Sequence, residues 1–436
     1  MRFFKYSVFY STLFLLTSCS ASRLFHTQQS GEVKALLSQY LYSHVTPPQD
    51  PAHYDSIWSA VPIQCPQLSD LYWLVPSADL PKDLKIRNSN NNVSIAIFKS
   101  RMYMAFRTGP THFASRKTGM YIISTADGMA WQKEMELLPG RDVREPFLIE
   151  IRDTLHFYCF AAGKSMTSFA PEYISHYSRT ANTPWQGPSS VLTKGEVHWS
   201  IKNRNGKTYM TSYEGSHYQL KGDSKVSLFF KETTDGQNFT TVGDSERVYF
   251  GGVSETDYEF DISKNLWAVT RLEDGDKTGF GSHVVYADKS RLDFWEFPDT
   301  AEQDCYMSPR MFRQGDEIYL IARKQLGGKP FGQADRHKPM KRQRLKNWIS
   351  YSLSPKTTAL YHINQSTRKV EWLMNLSGAG DTAFPSIFRL DAYRLLIANY
   401  SSPLKFSKRS WLAGQLGKTG IYLQVITFNS CSNTTP

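Results

Sequence analysis

Cysteine is scarce: Cys19, Cys65, Cys159, Cys305 and Cys431 are the only five in 436 residues. None forms a Cys-x-x-Cys pair or a Cys/His spacing that suits zinc, so no metal and no cofactor is expected. Acidic residues are also under-represented, 40 against 51 Lys and Arg, for a net charge of +11. Such a balance favours anionic partners. The densest basic run, Lys338, Lys341, Arg342, Arg344 and Lys346, lacks the interleaved aromatics on which bases stack. Nucleic acid is therefore not an expected partner, and the run reads as a solvated loop. Long apolar stretches are missing too. Only Tyr6 to Leu16 stands out, and it is too short to cross a bilayer as a helix. What is abundant is aromatic residues, at 14%, in a chain patterned as strands and turns.

The N-terminus carries Arg2 and Lys5 ahead of that apolar stretch, the layout of an export signal. Leu16-Thr17-Ser18-Cys19 resembles the bacterial lipobox, which implies cleavage before Cys19 and lipidation of its thiol. Ser20 in place of Asp leans towards the outer membrane; an ordinary secretory signal cleaved near Ala21 is the alternative. Acyl chains at Cys19 would hold the protein at a membrane surface. Residues 1–18 are thus read as signal, 19–70 as a helix and linker, and 71–436 as the main domain. Val33, Leu36, Leu37, Tyr40 and Leu41 put an apolar face on a helix over 30–45, which Pro47 and Pro48 end. Residues 46–70 read as an irregular linker or a wrap along the domain's side. Cys65 and Cys431, near opposite ends of the chain, are the most plausible disulfide, and Cys159 reads as a buried thiol.

From about residue 90 a strand, a turn and a second strand recur six times. The copies begin at Val93, Glu145, His198, Glu259, Ser308 and Phe384 and end their second strands at Arg107, Ala162, Glu214, Arg271, Arg323 and Tyr400. A repeat of roughly 50 to 75 residues made only of strands and turns predicts an all-β, six-bladed β-propeller of four-stranded antiparallel blades. The last blade lacks a fourth strand, and Leu71-Tyr72-Trp73-Leu74-Val75 is expected to supply it, closing an otherwise exposed edge. A monomer is expected.

Two turns, Ser124-Thr125-Ala126-Asp127-Gly128-Met129-Ala130-Trp131 and Thr233-Thr234-Asp235-Gly236-Gln237-Asn238-Phe239, resemble the Asp-box of sialidase-like propellers. With the repeats and the export signal, the chain resembles the sialidase superfamily over residues 85–428. In that family a Glu at the opening of blade four polarises the nucleophile, and an Arg sixteen residues on grips the substrate carboxylate. The resemblance assigns these roles to Glu255 and Arg271. Departures are clear. No Phe/Tyr-Arg-Ile-Pro motif precedes blade one, no acid lies between Thr108 and Thr125, and Phe384 stands where the nucleophilic Tyr is expected. A phenyl ring has no oxygen with which to attack, so the usual sialidase route is not expected.

A propeller brings equivalent positions of different blades to one central funnel. Arg107, Arg271 and Arg323 end equivalent strands and would form an oxyanion pocket. Arg144 and Glu145, just ahead of Pro146, lead into blade two; Glu145 is one candidate catalytic carboxylate, and Glu255, Glu259, Glu214 and Asp381 are candidate partners. A carboxyl pair is what glycoside hydrolysis requires. His112 occupies the stretch without acids and is a candidate proton carrier, and Arg310 joins the candidate substrate ligands. Glu145 and Glu255 are the expected catalytic pair. Arg107, His112, Arg144, Glu259, Arg271, Arg310, Arg323 and Asp381 are the expected binding set. Two readings stay open: a glycoside hydrolase acting on an anionic carbohydrate, and a non-catalytic glycan- or envelope-binding lipoprotein.

Overall fold

The computed structural model describes residues 24–25, 31–43, 46–59, 64–165, 170–218, 225–327, 331 and 337–430. The signal stretch, Cys19 and Cys431 lie outside them. Six antiparallel blades form the domain. Their inner strands are Ser89–Phe98, Val143–Ile151, Val197–Arg204, Thr256–Phe260, Met307–Gln314 and Ser386–Arg389. Each is followed by a hairpin partner and then by the outer strands. Blade four departs from the four-stranded expectation: among the described residues its sheet has three strands. The isolated bridges Ser282–Glu302 and Tyr286–Glu296 run beyond its third strand.

An apolar cluster fills every junction between neighbouring blades. Alternate residues of each strand face opposite sides of the blade, so one strand feeds two junctions. In blade one, Ile95, Ile97 and Met104 face blade six, whereas Ala96, Phe98 and Tyr103 face blade two. Residues Gly31–Tyr42 form the expected helix, and Val33, Leu37 and Leu41 bury its apolar face in the junction of blades six and one.

Closure is double. Gln64–Leu68 pairs with the C-terminal half of Gly420–Ser430, and Tyr72–Val75 pairs with the N-terminal half of that same strand. Cys65 is disulfide-bonded. Cys159 is a buried free thiol, pushed by burial up to about 12.

Two sequence expectations change. Residues 46–58 do not wrap the side; they cross one end of the central channel. The Gln49 side chain bonds both the N–H and the C=O of Arg389, its carbonyl accepts from Arg204, and Trp58 Nε1 donates to Ala392 O. The basic run is not a loop. Met340–Leu353 is a helix between the second and third strands of blade five, and Arg344 within it is buried.

Candidate functional site

The inner strands all start at one end of the channel, and four of them are bulged near that start. Register shifts fall at Asn91/Val93, Arg144/Phe147, His198/Ser200 and Met307/Arg310. Asn92, Glu145, Ser308 and Ala383 adopt left-handed backbone angles there, with φ of 45°, 51°, 53° and 73°. Non-glycine residues hold such angles at a cost of about 1–3 kcal/mol, and they recur where a side chain must be aimed.

Glu145 is one of these. Its Oε2 is buried and has no hydrogen-bond partner. Burial, and secondly the charge of Glu255, push its carboxyl up to about 8. Glu255, from the opening of blade four, is held differently. One oxygen pairs with Arg271, and the other accepts the Ser308 N–H at 2.8 Å. Arg271 also pairs with Glu273 and donates to Tyr218 Oη at 2.8 Å. The expected pair is thus brought together as neighbours in opposite environments. Tyr213 lies beside both: burial, then Glu255 and Glu145, raise its hydroxyl well above the ordinary range.

A second cluster occupies the blade one and blade six side. His112 Nδ1 meets Asp381 Oδ2 at 2.7 Å, and Tyr400 Oη donates to Asp381 Oδ1 at 3.0 Å. Burial lowers the His112 pKa against the opposing pull of Asp381, which favours a neutral ring. Arg144 binds Asp142 at 2.5 Å and the His112 carbonyl at 2.8 Å, and it also feels the charge of Glu145. Arg323 donates to the Thr382 and Ala383 carbonyls and lies over Trp411 at 5.1 Å.

Arg310 lies one level deeper. Its guanidinium lies over Trp199 at 4.4 Å and Phe384 at 5.1 Å, and Trp199 Nε1 donates to Pro309 O. Phe384, at the place where the resemblance called for a nucleophilic Tyr, packs edge-on to Trp199. Beyond this layer a cavity of about 550 Å³ extends to the segment 46–51.

Two expected ligands lie elsewhere in the architecture. Arg107 is fully buried, its donors engaged by Asp142, Asn91, Phe113 O, Thr111 O and Thr118. It pins the loop that carries His112, so the three-arginine pocket reduces to Arg271 and Arg323. Glu259 is buried three residues into its strand, where Arg204 grips both its oxygens at 2.6 and 2.8 Å. The fourth inner strand starts at Thr256, three residues ahead of the start read from the repeat, with Glu255 just before it. Glu214 accepts a hydrogen bond from Thr193 Oγ1 at 3.3 Å. Arg107 and Arg323 pair with the residues just ahead of the bulges in their blades, Asn91 and Met307, and the same register in blades two and three falls on Phe160 and Ser212 rather than on Ala162 and Glu214. Tyr213, Tyr218, Glu273 and Asp142 are the site residues that sequence reasoning missed. Their place in the site rests on contacts that the spacing of a repeat does not show.

Neither a protein-family model nor a curated protein matches the sequence. Solved structures do match. The phage phi92 endosialidase is 10% identical with a TM-score of 0.53, over 80% of this chain and 70% of that one. A Trypanosoma rangeli sialidase in complex with sialic acid is 12% identical with a TM-score of 0.50, over 83% of this chain and 56% of that one. A protein of unknown function from Dyadobacter fermentans DSM 18053 is 14% identical with a TM-score of 0.51, over 79% of this chain and 97% of that one. At such identities the likeness shows the fold alone: this chain is a six-bladed β-propeller of the shape seen in sialidases.

Proposed function

From the sialidase-like propeller and its asymmetric carboxyl pair, we propose that this protein binds a glycan at the funnel and hydrolyses a glycosidic bond. One observation carries the reading. Glu145 is held protonated at neutral pH with a buried, unpartnered oxygen, beside a Glu255 held by Arg271 and a backbone amide. Glycoside hydrolysis needs two carboxyl groups with different tasks: one gives a proton to the leaving oxygen, the other acts as base or nucleophile. Glu145 is the acid and Glu255 its partner. His112, oriented by Asp381, is a polar contact on the opposite wall. Preference for an anionic sugar rests on Arg310 and Arg323, which make no ion pair among the described residues, whereas Asp142, Glu255 and Glu273 engage Arg144 and Arg271.

The same reading places the protein in the cell envelope, exported by its N-terminal signal and anchored through lipidated Cys19. Labelling with a radioactive fatty acid should mark wild type and leave Cys19→Ser unmarked.

The activity test is a screen of aryl glycosides, neutral and acidic, with wild type and Glu145→Gln. Loss of a general acid predicts a fall of roughly 10²- to 10⁴-fold on the best substrate. Equal rates in the two proteins would remove Glu145 from the chemistry. Glycan binding without turnover in wild type would replace the hydrolase with a binding propeller, the reading favoured by Phe384 and by the acid-free stretch from Thr108 to Thr125.

A further inference from the structure

No acidic residue occurs from position 336 to 370, nor from 392 to the last residue. The fold brings parts of these two stretches into one patch. The helix Met340–Leu353 packs against the short helix Trp411–Gln415. Tyr351 meets Trp411 edge-on at 5.4 Å, Trp411 N donates to Ser354 O, and Pro355 bridges Ser410. The long helix turns Gln343, Arg344, Asn347 and Tyr351 inwards. Leu345, Ile349 and Leu353, each four residues on from the last, face solvent. With Leu404, Leu412 and Leu416 they are 37% to 60% exposed. Lys341, Arg342, Lys346, Lys405 and Lys408 are exposed among them.

Six large aliphatic side chains left in water, interleaved with lysine and arginine and with no carboxylate on either helix, are not the surface of a freely diffusing domain. A basic helix with an outward apolar stripe is the form that lies in the plane of a lipid interface: apolar residues enter the acyl boundary and cations meet anionic headgroups. A polyanionic polymer would use the cations and gain nothing from the leucines. A protein partner would leave the one-sided charge unexplained.

We propose that this two-helix patch docks the propeller onto anionic lipid. It adjoins the funnel. Arg344 Nε donates to the Asp274 carbonyl at 2.7 Å, in the segment that carries Glu273, and Trp348 lies 6.1 Å from the ring of Tyr218, the partner of Arg271. Docking therefore fixes the funnel rim beside the headgroups, where a lipid-linked glycan is presented.

The test uses the full chain carrying Cys19→Ser, so that no acyl chain anchors it. Cosedimentation is compared with phosphatidylglycerol-containing vesicles, with phosphatidylcholine vesicles and with soluble dextran sulfate. Binding to the anionic vesicles should exceed binding to the neutral ones and weaken with salt. It should fall roughly thirtyfold in Lys341→Gln/Arg342→Gln, at about fivefold for each cation removed from the surface. Leu345→Ser/Ile349→Ser, which changes only exposed side chains, should also release the protein from vesicles while leaving its thermal transition in place. Equal binding to both vesicle types, or unchanged binding in both double variants, would overturn the proposal. So would capture by dextran sulfate that the serine variant retains in full along with its vesicle binding. Hydrolysis of a soluble aryl glycoside needs no membrane, so failure here leaves the reading of the funnel untouched.

Discussion

Glu145 concentrates the chemistry of the molecule in one side chain. It combines a left-handed backbone angle, an unpartnered carboxyl oxygen and a proton held at neutral pH. The sign of its effect on stability follows. An unfolded Glu titrates near about 4.3, whereas the folded one does so at about 8. Between those values the native state keeps a proton that the unfolded state has released, so stability falls as pH rises through that window. Glu145→Gln should therefore raise the thermal midpoint relative to wild type above about pH 8, with the gain vanishing as pH drops below the ordinary carboxylate range. Thermal scans across that range check it, and a difference independent of pH would contradict the buried proton. Matching positions across repeats singled out this residue from sequence, and the resemblance added Glu255. The same matching misplaced Arg107, because the acid that engages it, Asp142, comes from a different blade. Charge partners contributed by the neighbouring blade leave no trace in the spacing of a single repeat.

Elements of this fold are held by turns as much as by sheets. In the two Asp-Gly turns the carboxylate accepts backbone amides, from Met129 and Ala130 to Asp127 and from Gln237 and Asn238 to Asp235, all at 2.8–2.9 Å. The glycines take φ of 74° and 73°. Asp127→Ala should cost about 1–3 kcal/mol in denaturant-induced unfolding, since it leaves amides without a charged acceptor, and should leave glycan binding unaltered. A parallel loss of binding would mean that the turn acts on the funnel. Sequence reading anticipated these turns because a short motif carries its own geometry. The helix Met340–Leu353 escaped it: its core-facing residues, Gln343, Arg344 and Asn347, are polar, so hydrophobic periodicity points to the solvent stripe instead.

On the scale of the whole molecule, the ring is held shut by pairing residues 64–75 with 420–430. Deleting residues 1–76 strips both partners from that strand and opens the junction lined by Tyr72, Leu74 and Val75. An unpaired edge templates association, so the truncated chain should elute as aggregates in size-exclusion chromatography where the full chain is uniform. A uniform truncated species would show that the remaining blades close without it. The repeat made this closure legible in outline, because a fourth strand was missing at one end and a spare strand lay at the other. That two strands share the single partner was not legible, since Gln64-Cys65-Pro66-Gln67-Leu68 has neither the apolar run nor the alternation of a buried strand.

This closure sets an order of events during synthesis. The ribosome makes Gln64–Leu68 and Tyr72–Val75 long before their shared partner, Gly420–Ser430. For more than three hundred residues of elongation those strands have nowhere native to pair. Completion of the sixth blade is thus a check on chain integrity: a product that stops short of residue 420 leaves its own beginning unfolded and open to proteolysis.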